Sequence, residues 1–167
     1  QQHSEEDLDG YILYTGLDAT SLSMTDSLKA TATSYTIESD TSGYYALSAF
    51  YKHGNESNFS PPISYVSREQ EVNDQCLLVG NSTEEKLELG NNITAYSFDY
   101  TYNKETALSP GAGSWVKSRK GKTLKFQGAG IDKDTLTLSR GWNLIGSLAD
   151  TALVRDPNGI LNSTPMY

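Results

Sequence analysis

An all-β fold is predicted by three features of this 167-residue sequence. Tyrosine, serine and threonine are frequent, with 11 tyrosines and 14 glycines, and such residues favour strands and the turns between them. Several segments alternate with a period of two, among them residues 32 to 38, 44 to 51 and 96 to 102. No segment sustains the 3.6-residue apolar period of an amphipathic helix. The composition and the periodicity therefore both predict strands.

The first half contains four predicted strands, each separated from the next by turn-forming residues. They are residues 11 to 14, 32 to 38, 44 to 51 and 63 to 66. Residues 18 to 26 are loop-like, with a short strand at 22 to 24. In the second predicted strand, Thr33, Tyr35 and Ile37 share one face.

A second set of strand signals follows a polar and charged segment, residues 69 to 75, which we interpret as a linker. These strands are residues 76 to 80, 96 to 102, 114 to 117, 123 to 126, 135 to 138 and 141 to 146. In residues 96 to 102 aromatic and polar residues alternate, so we expect the aromatic side to be buried. The expected core residues are Tyr45, Leu47 and Ala49 in the first half and Leu78, Leu144 and Ile145 in the second.

An internal repeat is indicated by residues 76 to 80 and 138 to 146. Each is a short apolar run that ends at a glycine and precedes an acidic segment. We interpret them as the starts of two copies of one β unit, the second of which is incomplete at residue 167. The predicted organisation is a domain at 1 to 68, the linker, and a β-rich repeat domain at 76 to 167.

Five ordered segments of the first half resemble a fibronectin type III domain over residues 7 to 68. They are Asp9-Gly10-Tyr11-Ile12-Leu13-Tyr14, Ser34-Tyr35-Thr36-Ile37, Gly43-Tyr44-Tyr45-Ala46-Leu47-Ser48-Ala49, Gly54-Asn55-Glu56-Ser57 and Ser60-Pro61. By this resemblance residues 11 to 14, 35 to 37, 44 to 51 and 63 to 66 are strands C, E, F and G. Strands A and B, and the tryptophan usual in B, are missing. The resemblance thus implies a β-sandwich that lacks its first strands.

Two motifs of the second half resemble a repeated module found beside fibronectin-like domains in large bacterial surface and secreted proteins. They are Pro110-Gly111-Ala112-Gly113-Ser114-Trp115-Val116-Lys117 and Gly141-Trp142-Asn143-Leu144-Ile145-Gly146. The module is a sequence pattern and carries no known activity. The resemblance implies a bacterial protein that is extracellular or attached to the cell surface. No Arg-Gly-Asp loop is present, so an integrin-binding role is not implied.

Charge and composition exclude several classes of function. The formal net charge of −8 argues against nucleic acid and against anionic membrane surfaces as partners, and no apolar run is long enough to insert into a membrane. The single cysteine, Cys76, cannot form a disulfide within the chain, and two separated histidines do not suggest a zinc site. No catalytic constellation is recognisable, so we expect neither enzymatic activity nor a cofactor.

The acidic start of the chain contains weak candidates for calcium ligands, namely Glu6, Asp7 and Asp9. Calcium sites use several oxygen ligands, and these carboxylates are close in sequence. Their spacing does not complete an EF-hand loop. A solvated acidic loop is the alternative.

A second candidate site lies around one predicted hairpin, where Trp115, Lys117, Lys120 and Lys122 occur close together. The lysines either form a docking site for an acidic neighbour or keep an edge strand soluble. Trp115 either stacks on a sugar or belongs to the core.

Two hypotheses of function follow. The first is a non-catalytic extracellular structural or adhesive protein, a subunit or fragment of a surface assembly or filament. Because strands A and B are missing, strands from outside the chain would complete it at the edge that carries Thr33, Tyr35 and Ile37, and copies of the same chain are possible donors. The alternative is a carbohydrate-binding accessory module of a secreted enzyme, with polysaccharide as its partner.

Overall fold

The all-β prediction is confirmed by the computed structural model, which describes residues 7–37, 41–138 and 140–149. Within these ranges the chain forms eleven strands and no α-helix, and hence no helix that could span a membrane. The strands are β1 (Leu8–Asp18), β2 (Ser21–Lys29), β3 (Gly43–Tyr51), β4 (Ile63–Val72), β5 (Leu77–Gly80), β6 (Leu87–Glu88), β7 (Ile93–Asp99), β8 (Thr101–Glu105), β9 (Ala107–Leu108), β10 (Gly113–Ser118) and β11 (Lys122–Ala129).

Two antiparallel sheets contain nearly all of these strands. The larger has the order β11-β4-β3-β1-β2, and the smaller has the order β5-β10-β7-β8. The short strands β6 and β9 pair separately. The predicted strands at residues 11 to 14, 44 to 51 and 63 to 66 are confirmed as parts of β1, β3 and β4.

The hydrophobic core lies where the β4–β11 side of the larger sheet packs against one face of the smaller sheet. Its buried members are Val66, Val72, Leu124 and Phe126 from the larger sheet, Val79, Ala95 and Val116 from the smaller sheet, and Leu108 from β9. Full burial of one such Val, Leu or Phe side chain contributes about 1.5–3 kcal/mol. This cluster therefore holds the two sheets together.

The predicted linker is wrong for residues 69 to 72, because these residues belong to β4. They form antiparallel pairs with β11, in a ladder that extends from Val72 opposite Lys122 to Tyr65 opposite Ala129. The larger sheet consequently contains strands from both sides of the predicted boundary.

The strand predicted at residues 32 to 38 is also wrong in the part that the structure describes. Thr33, Tyr35 and Ile37 lie in irregular backbone, and the ring of Tyr35 is 44% exposed. β1 already has β3 on one edge and β2 on the other, so neither edge is available to this segment.

β2 occupies residues that we interpreted largely as a loop. At the hairpin turn, the Asp18 carboxylate accepts hydrogen bonds from the amide and hydroxyl of Thr20, which lower the pKa of Asp18.

Several expected core positions are also corrected. Along β3, Ala46 and Ser48 are buried, whereas Leu47 is 39% exposed and Tyr45 and Ala49 are only half-buried. The buried side of β3 is the one that the loop at residues 52–60 covers. In the second half, the buried neighbour of the exposed Leu78 is Val79.

The segment at residues 140–149 is not a strand, contrary to the prediction for residues 141 to 146. Ile145 makes one isolated bridge with Ala112, and its side chain is 43% exposed. Leu144 is half-buried, and residues 135 to 138 also lack strand structure. The segment instead lies along the glycine-rich ends of β5 and β10, where the amide of Gly146 donates to the carbonyl of Gly111 at 2.8 Å.

Candidate functional site

A row of four side chains crosses the outer face of the smaller sheet. Trp115 on β10 is directly opposite Leu78 on β5 and Tyr96 on β7, and Tyr96 is directly opposite Lys104 on β8. Directly opposed residues of antiparallel strands point to the same side of a sheet. With strands about 4.8 Å apart, the row is about 14 Å long.

A second aromatic pair extends this row toward the tip of the β7–β8 hairpin. Phe98 is opposite Tyr102, and their rings meet edge to face with centroids 5.2 Å apart. The tip is the single residue Tyr100, in a left-handed conformation with φ 57°. Lys117 shares the face because it lies two residues after Trp115. We call this surface the aromatic face; it consists of Leu78, Tyr96, Phe98, Tyr102, Lys104, Trp115 and Lys117.

The aromatic side of β7 and β8 is not buried, which corrects the expectation for residues 96 to 102. Tyr96 and Phe98 are half-buried, and Tyr102 is 63% exposed. The opposite face of this sheet packs into the core through small residues, including Ala95, which is fully buried. Large aromatic rings thus remain on the solvent side.

The aromatic face carries two lysines and no acidic residue, although the whole chain is acidic. Lys104 and Lys117 are its charged strand residues, and none of its strand positions is acidic. The carboxylate of Glu105 lies on the core side of β8, where it accepts a hydrogen bond from the Ser97 hydroxyl at 2.6 Å. A bound ligand would therefore meet rings and ammonium groups without a nearby carboxylate on the same face.

The four residues of the predicted hairpin site are only partly brought together. Trp115 and Lys117 share the aromatic face, but Lys120 lies in the turn between β10 and β11. Lys122 begins β11 in the larger sheet, where it lines a groove of about 480 Å³ with Leu87 and Asn92. The residues that sequence analysis missed are Tyr102 and Lys104, which only the hairpin register brings onto the same face as Trp115.

A second exposed surface covers one side of the larger sheet. Leu13 is opposite Leu47, and Tyr45 is opposite Ile63, which places these four side chains on one face. Tyr65, two residues after Ile63, also lies there and contacts the Tyr45 ring edge to face. Leu47 is 39% and Ile63 is 57% exposed, whereas Tyr45 and Tyr65 are half-buried and Leu13 is buried at 5%. We call these five residues the apolar face.

The predicted assembly residues lie near this face without forming an edge strand. Burial raises the pKa of Tyr35, and the nearby carboxylate of Asp26 and the Tyr45 ring raise it further. Tyr35 therefore lies beside Asp26 and Tyr45. The exposed edge at this end of the sheet belongs to β2, because no strand in the described ranges pairs with its outer side.

On the other side of the larger sheet, Glu56 fixes the loop at residues 52–60. One of its carboxylate oxygens accepts hydrogen bonds from the Tyr14 and Ser48 hydroxyls, both at 2.6 Å. These hydrogen bonds lower the pKa of Glu56, and the same carboxylate raises the pKa of Tyr14. Beside them is an open cavity of about 300 Å³, lined in part by Ile12, Met24, Phe50 and Glu56.

The calcium candidates do not form a recognisable site in the described part of the chain. Glu6 lies outside the described residues, and Asp9 is exposed on β1. The backbone carbonyl of Asp7 accepts a hydrogen bond from the amide of Lys52. The described residues contain no group of three or more His, Cys, Asp or Glu side chains that could hold a metal ion.

Comparison of the chain with protein-family models finds no match, and comparisons with curated proteins and with solved structures find none either.

Proposed function

We propose that this protein is a non-catalytic extracellular structural or adhesive protein whose apolar face is covered by strands from outside the chain. The observation that carries the proposal is the exposure of Leu47 and Ile63 on the apolar face. Burial of such side chains contributes about 25 cal/mol per Å² of apolar surface, so a partner that covers them gains free energy. The outer edge of β2 offers backbone groups for strand addition beside the same face.

The resemblance to a fibronectin type III domain supports the same proposal. A sandwich consists of two packed sheets, and the strands missing from this sequence belong to the sheet that would cover the apolar face. A donor strand from a second copy would leave that copy's own sheet to be completed in turn. Such head-to-tail contacts produce filaments unless they close into a ring. We therefore place the protein in a surface assembly, with copies of itself as the favoured partner.

The proposal is tested by measuring self-association across protein concentration by sedimentation velocity. We expect assembly of the native chain to be lost in Ile63→Lys, because a charge would have to be buried at the interface. Leu136→Lys is the matched control, since Leu136 is 45% exposed but lies outside the sheets. A native chain that remains monomeric at millimolar concentration would contradict the proposal.

A second candidate function is carbohydrate binding, and the aromatic face is the observation that favours it. Sugars present apolar C–H groups to the negative faces of aromatic rings, and a flat sheet can present several rings together. Sedimentation with insoluble polysaccharides tests this candidate. Tyr102→Ala should reduce binding, whereas Phe59→Ala should not, since Phe59 is 50% exposed but contacts Tyr14 on the larger sheet.

A further inference from the structure

We propose that the ligand of the aromatic face is an acidic polysaccharide whose chain follows the row from Leu78 to Lys104. This inference rests on the second candidate function above, and it specifies the ligand's charge and direction. Its support is the cross-strand register of the row, the partial exposure of its rings and the distribution of charge around it.

The row has the shape of a binding track for an extended chain. Trp115 and Tyr96 occupy its centre, Leu78 is 46% exposed at one end, and Lys104 is exposed at the other. Its length of about 14 Å suits a short stretch of oligosaccharide. Because side chains stand nearly perpendicular to a sheet, the row presents its groups to one surface-bound ligand. The chain of sugars would thus lie across the strands.

The two lysines favour an anionic ligand. They lie on β8 and β10 with β7 between them, and Lys104 is opposite Tyr96 whereas Lys117 is opposite Thr94. This register puts their Cα atoms roughly 12 Å apart. A polysaccharide with one charge on every one or two sugars can place an acidic group at the ammonium of each lysine. Its sugar rings can then cover the aromatic side chains. A neutral glycan would leave both lysines without a counter-ion.

Charge density separates this ligand from nucleic acid. Duplex DNA carries a negative charge about every 1.7 Å of its length and requires many cationic contacts. The aromatic face has two lysines on a chain of net charge −8. Long-range repulsion would therefore oppose a dense polyanion more strongly than a sparsely charged polysaccharide.

A calorimetric titration of the full chain with two forms of one polymer tests the inference. The probes are polygalacturonate and its methyl-esterified form, which share a backbone and differ in charge. We expect polygalacturonate to bind about tenfold more tightly, as one additional charge-assisted hydrogen bond would provide. Added salt should reduce that difference. Lys104→Gln and Lys117→Gln should each reduce the preference about threefold and together remove it, whereas Lys120→Gln, with the same change of charge in the neighbouring turn, should leave it unchanged.

The outcomes distinguish this inference from the candidate function on which it rests. Equal binding of both polymers that is lost in Tyr102→Ala supports carbohydrate binding and overturns the acidic ligand. Binding of neither polymer overturns both. A preference that Lys120→Gln removes as effectively as Lys104→Gln, or tighter binding of duplex DNA than of polygalacturonate, also overturns the inference. Circular dichroism and thermal unfolding of each variant establish that it is folded.

Discussion

The guanidinium of Arg68 lies 4.1 Å from the centre of the Phe126 ring, directly across the ladder between β4 and β11. A nitrogen of the same guanidinium donates a hydrogen bond to the carbonyl of Gly80 at the end of β5. Partial burial lowers the pKa of Arg68. One side chain thus joins two strands of the larger sheet to the edge of the smaller sheet. The Phe126 ring beneath it is 1% exposed and belongs to the core.

Phe126→Ala is therefore expected to be among the most damaging single substitutions. It removes a buried ring from the junction of the sheets, and such truncations cost about 3–5 kcal/mol. The stacked guanidinium would also lose its partner. Chemical denaturation measures the free energy of unfolding, with Tyr102→Ala as the aromatic control. The exposed Tyr102 loses only its contact with Phe98, so this variant should change the free energy of unfolding by about 1 kcal/mol or less. Similar losses in the two variants would contradict this assignment of the core.

Gly113→Ala should disturb the packing of residues 140–149 against β10. A methyl group at Gly113 would lie 2.6 Å from the Ile145 carbonyl oxygen, so the backbone must move apart. Overpacking of this kind costs about 1–3 kcal/mol. Thermal unfolding and limited proteolysis near Ile145 measure the effect. Gly90→Ala is the control, because no atom lies within 4 Å of a methyl group there, and it should be close to neutral.

The success of strand prediction depended on whether a strand has one buried face. The centre of β3 alternates in burial, and the alternating sequence of residues 44 to 51 predicted this strand. β2 was largely missed because most of its residues are exposed and Asp26 interrupts the alternation of Leu22, Met24 and Leu28. Conversely, Thr33, Tyr35 and Ile37 alternate but form no strand, and β2 and β3 pair with both edges of β1 instead. Such competition between distant segments cannot be seen in local sequence.

The aromatic face, like the strands, could be predicted only in part from the sequence. Trp115 and Lys117 could be selected by residue type and by their position on one strand. Tyr102 and Lys104 could not, because the register that brings them there depends on a hairpin tip at Tyr100. Asp99, Tyr100 and Thr101 include neither glycine nor asparagine, the usual markers of a tight hairpin. The aromatic run therefore resembled one strand that passed through the core.

Glu56 should make the stability of the protein depend on pH in the acidic range. Its pKa is lowered in the folded protein because Ser48 and Tyr14 donate to the carboxylate. The resulting stabilisation is fully present above the ordinary value of 4.5 and is lost as pH falls through the lower folded-state pKa. In Glu56→Gln the midpoint of denaturation should fall relative to the native chain at neutral pH, and the difference should shrink in acid.

Tyr14→Phe provides an independent test of the same hydrogen bonds. Without the Tyr14 hydroxyl, the pKa of Glu56 should move back toward its ordinary value in a carbon-detected NMR titration. Glu71→Gln, an exposed substitution on β4, is the control for loss of a carboxylate. If Glu56→Gln and Glu71→Gln gave the same pH profile of stability, Glu56 would have no special part in fixing the loop.

Asn81 should be essential for folding and inaccessible to glycosylation, although Asn81-Ser82-Thr83 has the sequence of an N-glycosylation site. Its side chain is fully buried. The amide nitrogen donates to the carbonyls of Glu85 and Leu108 at 2.7 and 3.0 Å, and the amide oxygen accepts from the backbone and hydroxyl of Thr83. The nitrogen and the oxygen of this amide are therefore both hydrogen-bonded, and these hydrogen bonds hold the end of β5 beside β9.

Asn81→Ala would leave these buried groups without partners, and each such group costs about 1–3 kcal/mol. Asn58→Ala is the matched control, because Asn58 is exposed in another Asn-X-Ser/Thr sequence and its side chain can be replaced at little cost. Chemical denaturation should show a large loss of stability for the first variant alone. After secretion from a eukaryotic host, mass spectrometry should find glycan at Asn58 and none at Asn81 in folded protein. Glycan at Asn81 in a chain with native unfolding behaviour would contradict this arrangement, because the amide nitrogen cannot carry a sugar and also donate to both carbonyls.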